Sequence, residues 1–406
     1  MRCGGPKPSP SRCWPSGEPL LTRVIATSIA SEVTGAEHSL LNLAPALAVR
    51  GVHVVLAAPG GTNLEKRWRE KGLDFIAVGF PDRGAFRNST GTKLSSLTDL
   101  LRLPFRTLWA IFLLARAARR VDADVIHSNS IITHFDCAFA ALVTRKKAVL
   151  ELHEIVAPGI GRLALGLAAV LSARALAIST AVAAQLPTWA RGNVSVIGQG
   201  IELERFSTEG GTDGWRNRLS ASPDSPLVIA VGRTDPEKAL HVAIEAVAAV
   251  RATGVDAHLA LIGCPGKDDG TYLAELEALA AQTLPGAFRI EPAVGDVAPI
   301  MRSADVLVST STEEPFGLVI LEAQACGLPV VSSASGGPLD FVTDTETGML
   351  VPPGDSSATA VAIRRLLEDP DLVTTIKVNA RALVERSFTA QIRAQRISDM
   401  YTKVLN

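Results

Sequence analysis

Two acids eight residues apart suggest the first chemistry. The stretch from Ser309 reads STSTEEPFGLVILEAQACGLPVVSS, with Glu314 in a polar loop and Glu322 beyond it. Residues 306–309 and 330–333 are β-branched runs, and 316–326 between them has helical character. Gly327 stops that helix well, and Pro329 follows shortly after. Glu314 is thus placed before the helix and Glu322 about two turns into it. Between them the backbone N–H groups of Gly317, Leu318 and Val319 are predicted to form a positive pole suited to a phosphate. A carboxylate accepts two hydrogen bonds from a vicinal diol, so an acid on either side suits polyhydroxyl groups. A sugar, a diphosphate and a ribose match that order.

A second constellation reads Val231-Gly232-Arg233-Thr234-Asp235-Pro236-Glu237-Lys238-Ala239 and follows the apolar run 227–231. Arg and Lys five apart across a strand-to-helix turn can converge on a diphosphate. The guanidinium acts as a fork and the ammonium as a point charge.

The elements that must position these groups alternate along the chain. Strands are predicted at 23–28, 53–58, 75–78, 125–127, 148–152, 175–178 and 194–197, with helical material between most of them. The pattern repeats at 227–231, 258–262, 288–291, 306–309 and 330–333, with helices near 240–252, 272–281 and 316–326. Such alternation predicts an α/β protein with two doubly wound parallel sheets. Residues 206–226, rich in Ser, Gly, Asp and Pro, read as the linker. Ligands of open parallel sheets bind beyond the carboxyl ends of the strands, so the loops there carry the search.

The run Glu-Pro-Phe-Gly-Leu with a second Glu, then Ala-Cys-Gly-Leu-Pro-Val-Val and Gly-Gly-Pro-Leu-Asp, resembles family 4 of the retaining GT-B glycosyltransferases, the glycosyl transferases group 1. The resemblance covers residues 21–406. It implies two Rossmann-like domains facing a central cleft: an acceptor-side domain over 21–205 and a nucleotide-sugar domain over 206–385. Residues 386–406 are expected to form a helix returning towards the first domain, and 1–20 a disordered extension. By the same resemblance Glu314 holds donor-sugar hydroxyls and Glu322 the nucleotide ribose. Arg233 and Lys238 neutralise the leaving diphosphate, and Phe316, Gly317, Leu318 and Val319 complete the donor site. Ala239 stands where the family usually has Gly.

In the first half, Gly35 of Val33-Thr34-Gly35-Ala36-Glu37 matches one glycine of a phosphate-proximal loop, with Thr34 replacing the other. His153 ends a strand where the family often places His or Asp near the donor sugar; a catalytic and a structural role are both open. Asn129 and Ser179 end neighbouring strands and are acceptor-side candidates. Gln199-Gly200-Ile201-Glu202 resembles an Asn-Gly-Ile-Asp element at the domain junction.

The activity so implied moves a hexosyl group from a UDP- or GDP-sugar to a hydroxyl acceptor, with retention and without metal or cofactor. A nucleotide-sugar epimerase and a non-catalytic nucleotide-sugar-binding protein are the alternatives.

Composition narrows the remaining classes. The chain has 40 basic and 41 acidic residues among 406, yet residues 1–200 carry a net of +10 and the remainder −11. The basic half suits an anionic acceptor or membrane surface. Balanced overall charge and only 5% aromatics leave no nucleic-acid partner expected. Five cysteines without CxxC spacing support neither a disulfide scaffold nor zinc, and point to a reducing compartment. Residues 1–20 lack an apolar h-region, and the apolar stretches 108–118 and 163–173 reach only about half of a bilayer span. The expected location is cytoplasmic. Residues 100–120 mix Leu, Phe and Trp with Arg102, Arg106, Arg116, Arg119 and Arg120, which suits either a helix lying on anionic lipid or a core helix with solvated arginines.

Three look-alikes fail. Asp122-Ala123-Asp124 precedes a strand, whereas a metal-binding Asp-x-Asp must follow one. The 263–268 loop has the wrong spacing for a P-loop, and Asp268 replaces its Ser/Thr. No G-x-G-x-x-G follows a strand.

Overall fold

The structure is a computed structural model that describes residues 22–81 and 97–406, apart from 34, 213, 221, 223, 264, 265 and 267–269. The expected extension 1–20, Thr34 and most of the 263–268 loop lie outside the described residues.

The first sheet contains β1 (Thr22–Thr27), β2 (Val52–Ala58), β3 (Asp74–Ala77), β4 (Val125–Ser128), β5 (Lys147–Leu152), β6 (Arg174–Ala177) and β7 (Val194–Val196). Its helices are α1 (Gly35–Ala48), α2 (Asn63–Glu70), α3 (Leu97–Arg120), α4 (His134–Thr144), α5 (Ile160–Leu171), α6 (Thr180–Ala184) and α7 (Thr188–Arg191). The strand order is β3-β2-β1-β4-β5-β6-β7, parallel throughout.

After α8 (Trp215–Leu219) the second sheet contains β8 (Leu227–Val231), β9 (His258–Gly263), β10 (Phe288–Pro292), β11 (Val306–Ser309), β12 (Val330–Ser333) and β13 (Met349–Val351), ordered β10-β9-β8-β11-β12-β13. Its helices are α9 (Leu240–Ala252), α10 (Thr271–Thr283), α11 (Ala298–Ser303), α12 (Leu318–Ala325), α13 (Ser356–Glu368) and α14 (Pro370–Ser387), followed by α15 (Ala390–Leu405). Central strands such as β8, Leu-Val-Ile-Ala-Val, are buried almost end to end, as a parallel sheet covered on both faces requires. The strand order reverses between β1 and β4 and again between β8 and β11. Those two switch points open beyond Ser128 and beyond Val231, where the candidate loops lie.

Two expectations need correction. β13 was not anticipated, because three residues between turn signals carry no readable period. The linker is not loose either: it folds into α8, and Arg216 ties that helix to the Ser303 carbonyl and to Asp305 at 2.9 Å.

The chain returns at residues 388–390. The Ile201 N–H donates to the Phe388 carbonyl and the Ala390 N–H to the Ile201 carbonyl. α15 then buries Ala394, Ile397, Met400 and Tyr401 in the apolar cluster that holds Leu41 and Leu47 of α1. At the amino ends of the central strands β1 and β4, Arg23 pairs with Asp122 at 2.8 Å and its N–H donates to Asp124. The Asp122–Asp124 turn is thus a brace at the amino ends of the strands, away from the switch point. Among the described residues no helix is long and apolar enough to cross a membrane.

Ala239 joins the 235–238 turn to α9 with φ 46°, a left-handed conformation that glycine adopts without cost. Ala239→Gly should therefore raise stability by roughly 0.5–1 kcal/mol in denaturant unfolding, with unchanged slope. A loss of stability would show that the buried methyl outweighs the backbone strain.

Candidate active site

The second-sheet side is built by two laced loops. Residues 310–314 follow β11 and residues 232–239 follow β8. The Thr312 N–H donates to the Glu237 carbonyl at 3.0 Å, and Thr310 Oγ1 to the Lys238 carbonyl at 2.9 Å. The lacing brings Lys238 Nζ to 2.7 Å from Glu314 Oε2, which also accepts from Ser311 Oγ at 3.0 Å. Arg233 pairs with Asp235 at 2.8 Å and with Glu237 at 3.4 Å. Both cations are therefore held beside the same turn, each balanced by carboxylates.

The main chain of Glu314 is fixed as well. The Gly337 N–H donates to the Glu314 carbonyl at 2.7 Å, and a Cβ on Gly336 would stand 2.0 Å from that oxygen. Only glycine allows the approach.

α12 begins at Leu318, later than the apolar pattern suggests, because Gly317 takes φ 92° and breaks the helix before it. Gly317 has no side chain to cap the first turn, so the N–H groups of Leu318 and Val319 are uncapped by it. Glu322 lies on α12. Burial pushes its pKa up to about 8, against the opposing field of Arg205 and with a small contribution from Asp296. Phe316 stands apart from these polar groups. Its ring packs with Phe341 and Phe388 at centroid distances of 5.4 and 6.3 Å and is almost wholly buried.

The first-sheet side centres on His153, just beyond β5. Its Nε2 lies 2.9 Å from Asn129 Oδ1 and 3.3 Å from Glu151 Oε1, both acceptors. Its Nδ1 faces the Gln199 amide at 3.3 Å. The ring thus donates through Nε2 and accepts through Nδ1. Burial lowers its pKa although Glu151 opposes this, which favours the neutral ring. Both nitrogens serve protein partners, so of the two roles left open for His153 this geometry favours the structural one.

Beneath His153 lies a network that reasoning from motifs missed. Glu151 is fully buried and accepts from Arg393 of α15 and from His127 Nε2 at 3.0 Å; the Tyr401 hydroxyl donates to His127 Nδ1 at 2.6 Å. Burial alone would push the Glu151 carboxyl up, but Arg393, His153 and His127 override it and hold it far below the carboxylate range. An acid inside the apolar run Val149–Leu152 was the available signal.

The remaining candidates divide. Asn129 is buried between His153 and the Ala36 carbonyl at the start of α1, bracing rather than lining an open pocket. Ser179 is fully buried too: it caps α6 and donates to the Pro315 carbonyl across the domains at 2.6 Å. That bond turns the acceptor-side candidate towards the second domain rather than into an open pocket. Gly35 opens α1, and a Cβ there would meet nothing within 4 Å, so folding alone does not demand glycine. A cleft of about 280 Å³ lies between the domains, lined by Ile155, Arg162 and Gln185 on one side and Glu313, Ser335 and Gly336 on the other.

Two parallel-sheet domains with this cleft define the GT-B architecture, and comparison with known proteins agrees. Residues 33–205 match the model described as Glycosyltransferase Family 4, and residues 212–383 match Glycosyl transferases group 1. The chain belongs to the GT-B glycosyltransferases of family 4. It is 38% identical over 201 residues to the D-inositol 3-phosphate glycosyltransferase of Salinispora arenicola (strain CNS-205), covering 46% of this chain and 45% of that one. It is 35% identical over 191 residues to the lipopolysaccharide core biosynthesis glycosyltransferase LpsE of Rhizobium meliloti (strain 1021), covering 47% and 52%. The chain spans about half the length of the curated relatives it matches. Among solved structures, Anabaena Alr3699/HepE in complex with UDP and glucose superposes with a TM-score of 0.79 at 22% identity, over 94% of this chain and 100% of that one. A glycosyltransferase from Rickettsia africae ESF-5 gives 0.80 at 20% identity, over 95% and 99%. At such identities the likeness is one of fold.

Removing Arg393 leaves a buried carboxylate short of its cation. Arg393→Met should cost about 3–5 kcal/mol in denaturant unfolding, and the Glu151→Leu/Arg393→Met double variant should recover part of it. A single variant as stable as the parent would mean that Glu151 gains its charge balance elsewhere.

Proposed function

We propose that this protein transfers a hexosyl group from a nucleotide-diphospho-sugar to a hydroxyl acceptor, with retention of the anomeric configuration and without a metal or cofactor. The observation that carries the reading is the Lys238–Glu314 ion pair, held beside Arg233 and the uncapped start of α12 with Glu322 further along the same helix. In this reading Glu314 takes donor-sugar hydroxyls and Glu322 the ribose. Arg233, Lys238 and the N–H groups at Gly317, Leu318 and Val319 receive the negative charge that grows on the diphosphate.

The sugar C1–O bond to the diphosphate breaks and a C1–O bond to the acceptor oxygen forms. The acceptor proton passes to a departing phosphate oxygen, since neither nitrogen of His153 is open to it. His153 acts by positioning, and Phe316 by supporting the loop that carries Glu314. Gly35 leaves room for the donor phosphates to approach α1.

The donor is a UDP- or GDP-sugar; the UDP-glucose complex of the fold neighbour HepE supports the first. The acceptor is anionic or lipid-linked, enters by the cleft at Arg162 and Glu313, and is met at the inner face of a membrane where the protein sits peripherally. The basic first half of the chain supports that placement.

The roles separate in binding experiments. Glu322→Ala should weaken UDP itself by about tenfold or more, whereas Glu314→Ala should bind UDP normally yet lose the intact donor and its turnover. Calorimetric titration with UDP and with UDP-sugars checks both; variants that bind and turn over like the parent would remove the assignment.

A second test uses protonation. With a pKa of about 8, Glu322 is mostly protonated at pH 7, while a ribose diol donates to the carboxylate. Binding should then release a proton. UDP affinity should rise with pH, by at most about tenfold per unit, and level off above about 8. An affinity flat from pH 6.5 to 8.5, after correction for the phosphate's own titration, would place the ribose elsewhere.

A further inference from the structure

Among the described residues, twelve of the eighteen large apolar side chains left exposed lie on α3, α4, α5 and α7. These helices are neighbours: α3 packs on α4, α4 on α5, and α5 on α7. α3 exposes Phe105 (75%), Leu108 (64%), Trp109 (54%) and Phe112 (52%), with Trp109 and Phe112 stacked at 5.4 Å. The core does not need this face, because Ala110, Leu114, Ala117 and Ala118 on the opposite side of α3 already do the packing. α4 adds Phe139, Leu142 and Val143. α5 exposes Ile160, Leu163, Leu167 and Val170, an apolar stripe along one side of a helix whose single charge is Arg162. A monomer that stays in water rarely leaves so much contiguous apolar surface uncovered.

Charge indicates what covers it. Arg102 and Arg116 flank the aromatic stripe of α3, and Arg119, Arg120 and Arg145 extend the basic rim, all exposed except at their contacts. From Arg102 onward none of α3, α4 and α5 exposes an acid, since Asp136 is buried. A second copy docked face to face would set arginines against arginines with no carboxylate between them. An anionic bilayer supplies both complements, phosphates at the rim and acyl chains under the aromatic and aliphatic side chains.

We propose that the α3–α4–α5 face docks on an anionic membrane surface. α5 also sets the orientation: Arg162, in its first turn, lines the interdomain cleft together with Ile155. Docking through α5 brings the mouth of that cleft to the headgroup plane. A lipid-linked acceptor can then present its hydroxyl to the cleft while its tail stays in the bilayer. The acceptor class rests on the transferase reading; the docking itself does not.

The experiment is vesicle flotation of the full chain with phosphatidylcholine alone or with about one third phosphatidylglycerol, alongside UDP-induced thermal stabilisation. The expected result is binding to the anionic vesicles, weakened by high salt, and about tenfold less to the neutral ones. Phe105→Glu/Phe112→Glu on α3 and Leu163→Glu/Leu167→Glu on α5 should each cut vesicle binding by about tenfold and leave the UDP effect intact. No flotation, or variants that float like the parent, would overturn the docking while UDP stabilisation keeps the transferase reading. A dimer dissociated by the same substitutions would overturn it in favour of a subunit interface. Vesicle binding without any UDP effect would keep the docking and remove the transferase.

Discussion

A carboxylate without solvent dominates the first domain. Glu151 sits on β5, an inner strand of its sheet, with no exposed surface, and an unbalanced charge there would be prohibitive. Its cation comes from Arg393, which lies 242 residues further along the chain. The last helix must therefore come home, and the crossing at residues 388–390 is how it does so. The same ion pair sets the floor under His153, whose ring is oriented from below by Glu151 and from the sides by Asn129 and Gln199. Gln199 belongs to the junction between the domains, so the junction, the C-terminal helix and the cleft wall form one hydrogen-bonded unit. Such a unit supports a fixed ring and argues against a mobile proton carrier.

The second domain reaches rigidity by a different route. Its polar residues pair locally, across two loops at the ends of adjacent strands, and the backbone does much of the fixing. Thr310 and Thr312 tie one loop to the other, and the glycine pair at 336–337 lets a third loop press on the Glu314 carbonyl. Preorganisation of this kind matters where charge develops late in a reaction, because groups already held in place need not reorganise. The Lys238–Glu314 pair also keeps an ammonium beside the loop without leaving it uncompensated.

That difference explains what was legible in the sequence. The Glu314–Glu322 region is one strand, one loop and one helix, so its residue order is also its spatial order, and both acids could be named with roles. The apolar runs revealed most strands for the same local reason; β13 was too short to show a period. The network of His127, Glu151, Arg393 and Tyr401 was illegible because its partners stand 24 to 274 residues apart, and only Glu151, an acid in an apolar run, carried a local signal. Ser179 and Asn129 were read from their strand ends, which is right for position, but burial turns both inwards. One side of α3 packs in the core, as the second reading of residues 100–120 expected, and the other is an exposed basic-aromatic face.

Two hydrogen bonds between the halves bear on the loop that carries Glu314. Ser179 donates to the carbonyl of Pro315, the residue next to Glu314, and the Thr180 N–H donates to Asp340 at 2.7 Å, close after the glycines that clamp that same loop. Both bonds start from the end of β6. Any opening of the cleft would break them and free the Glu314 loop from the first domain. Hydrogen bonds of about 1 kcal/mol each hold such a closure without locking it. The Glu151–Arg393 pair joins β5 to the returning last helix, not to the Glu314 loop.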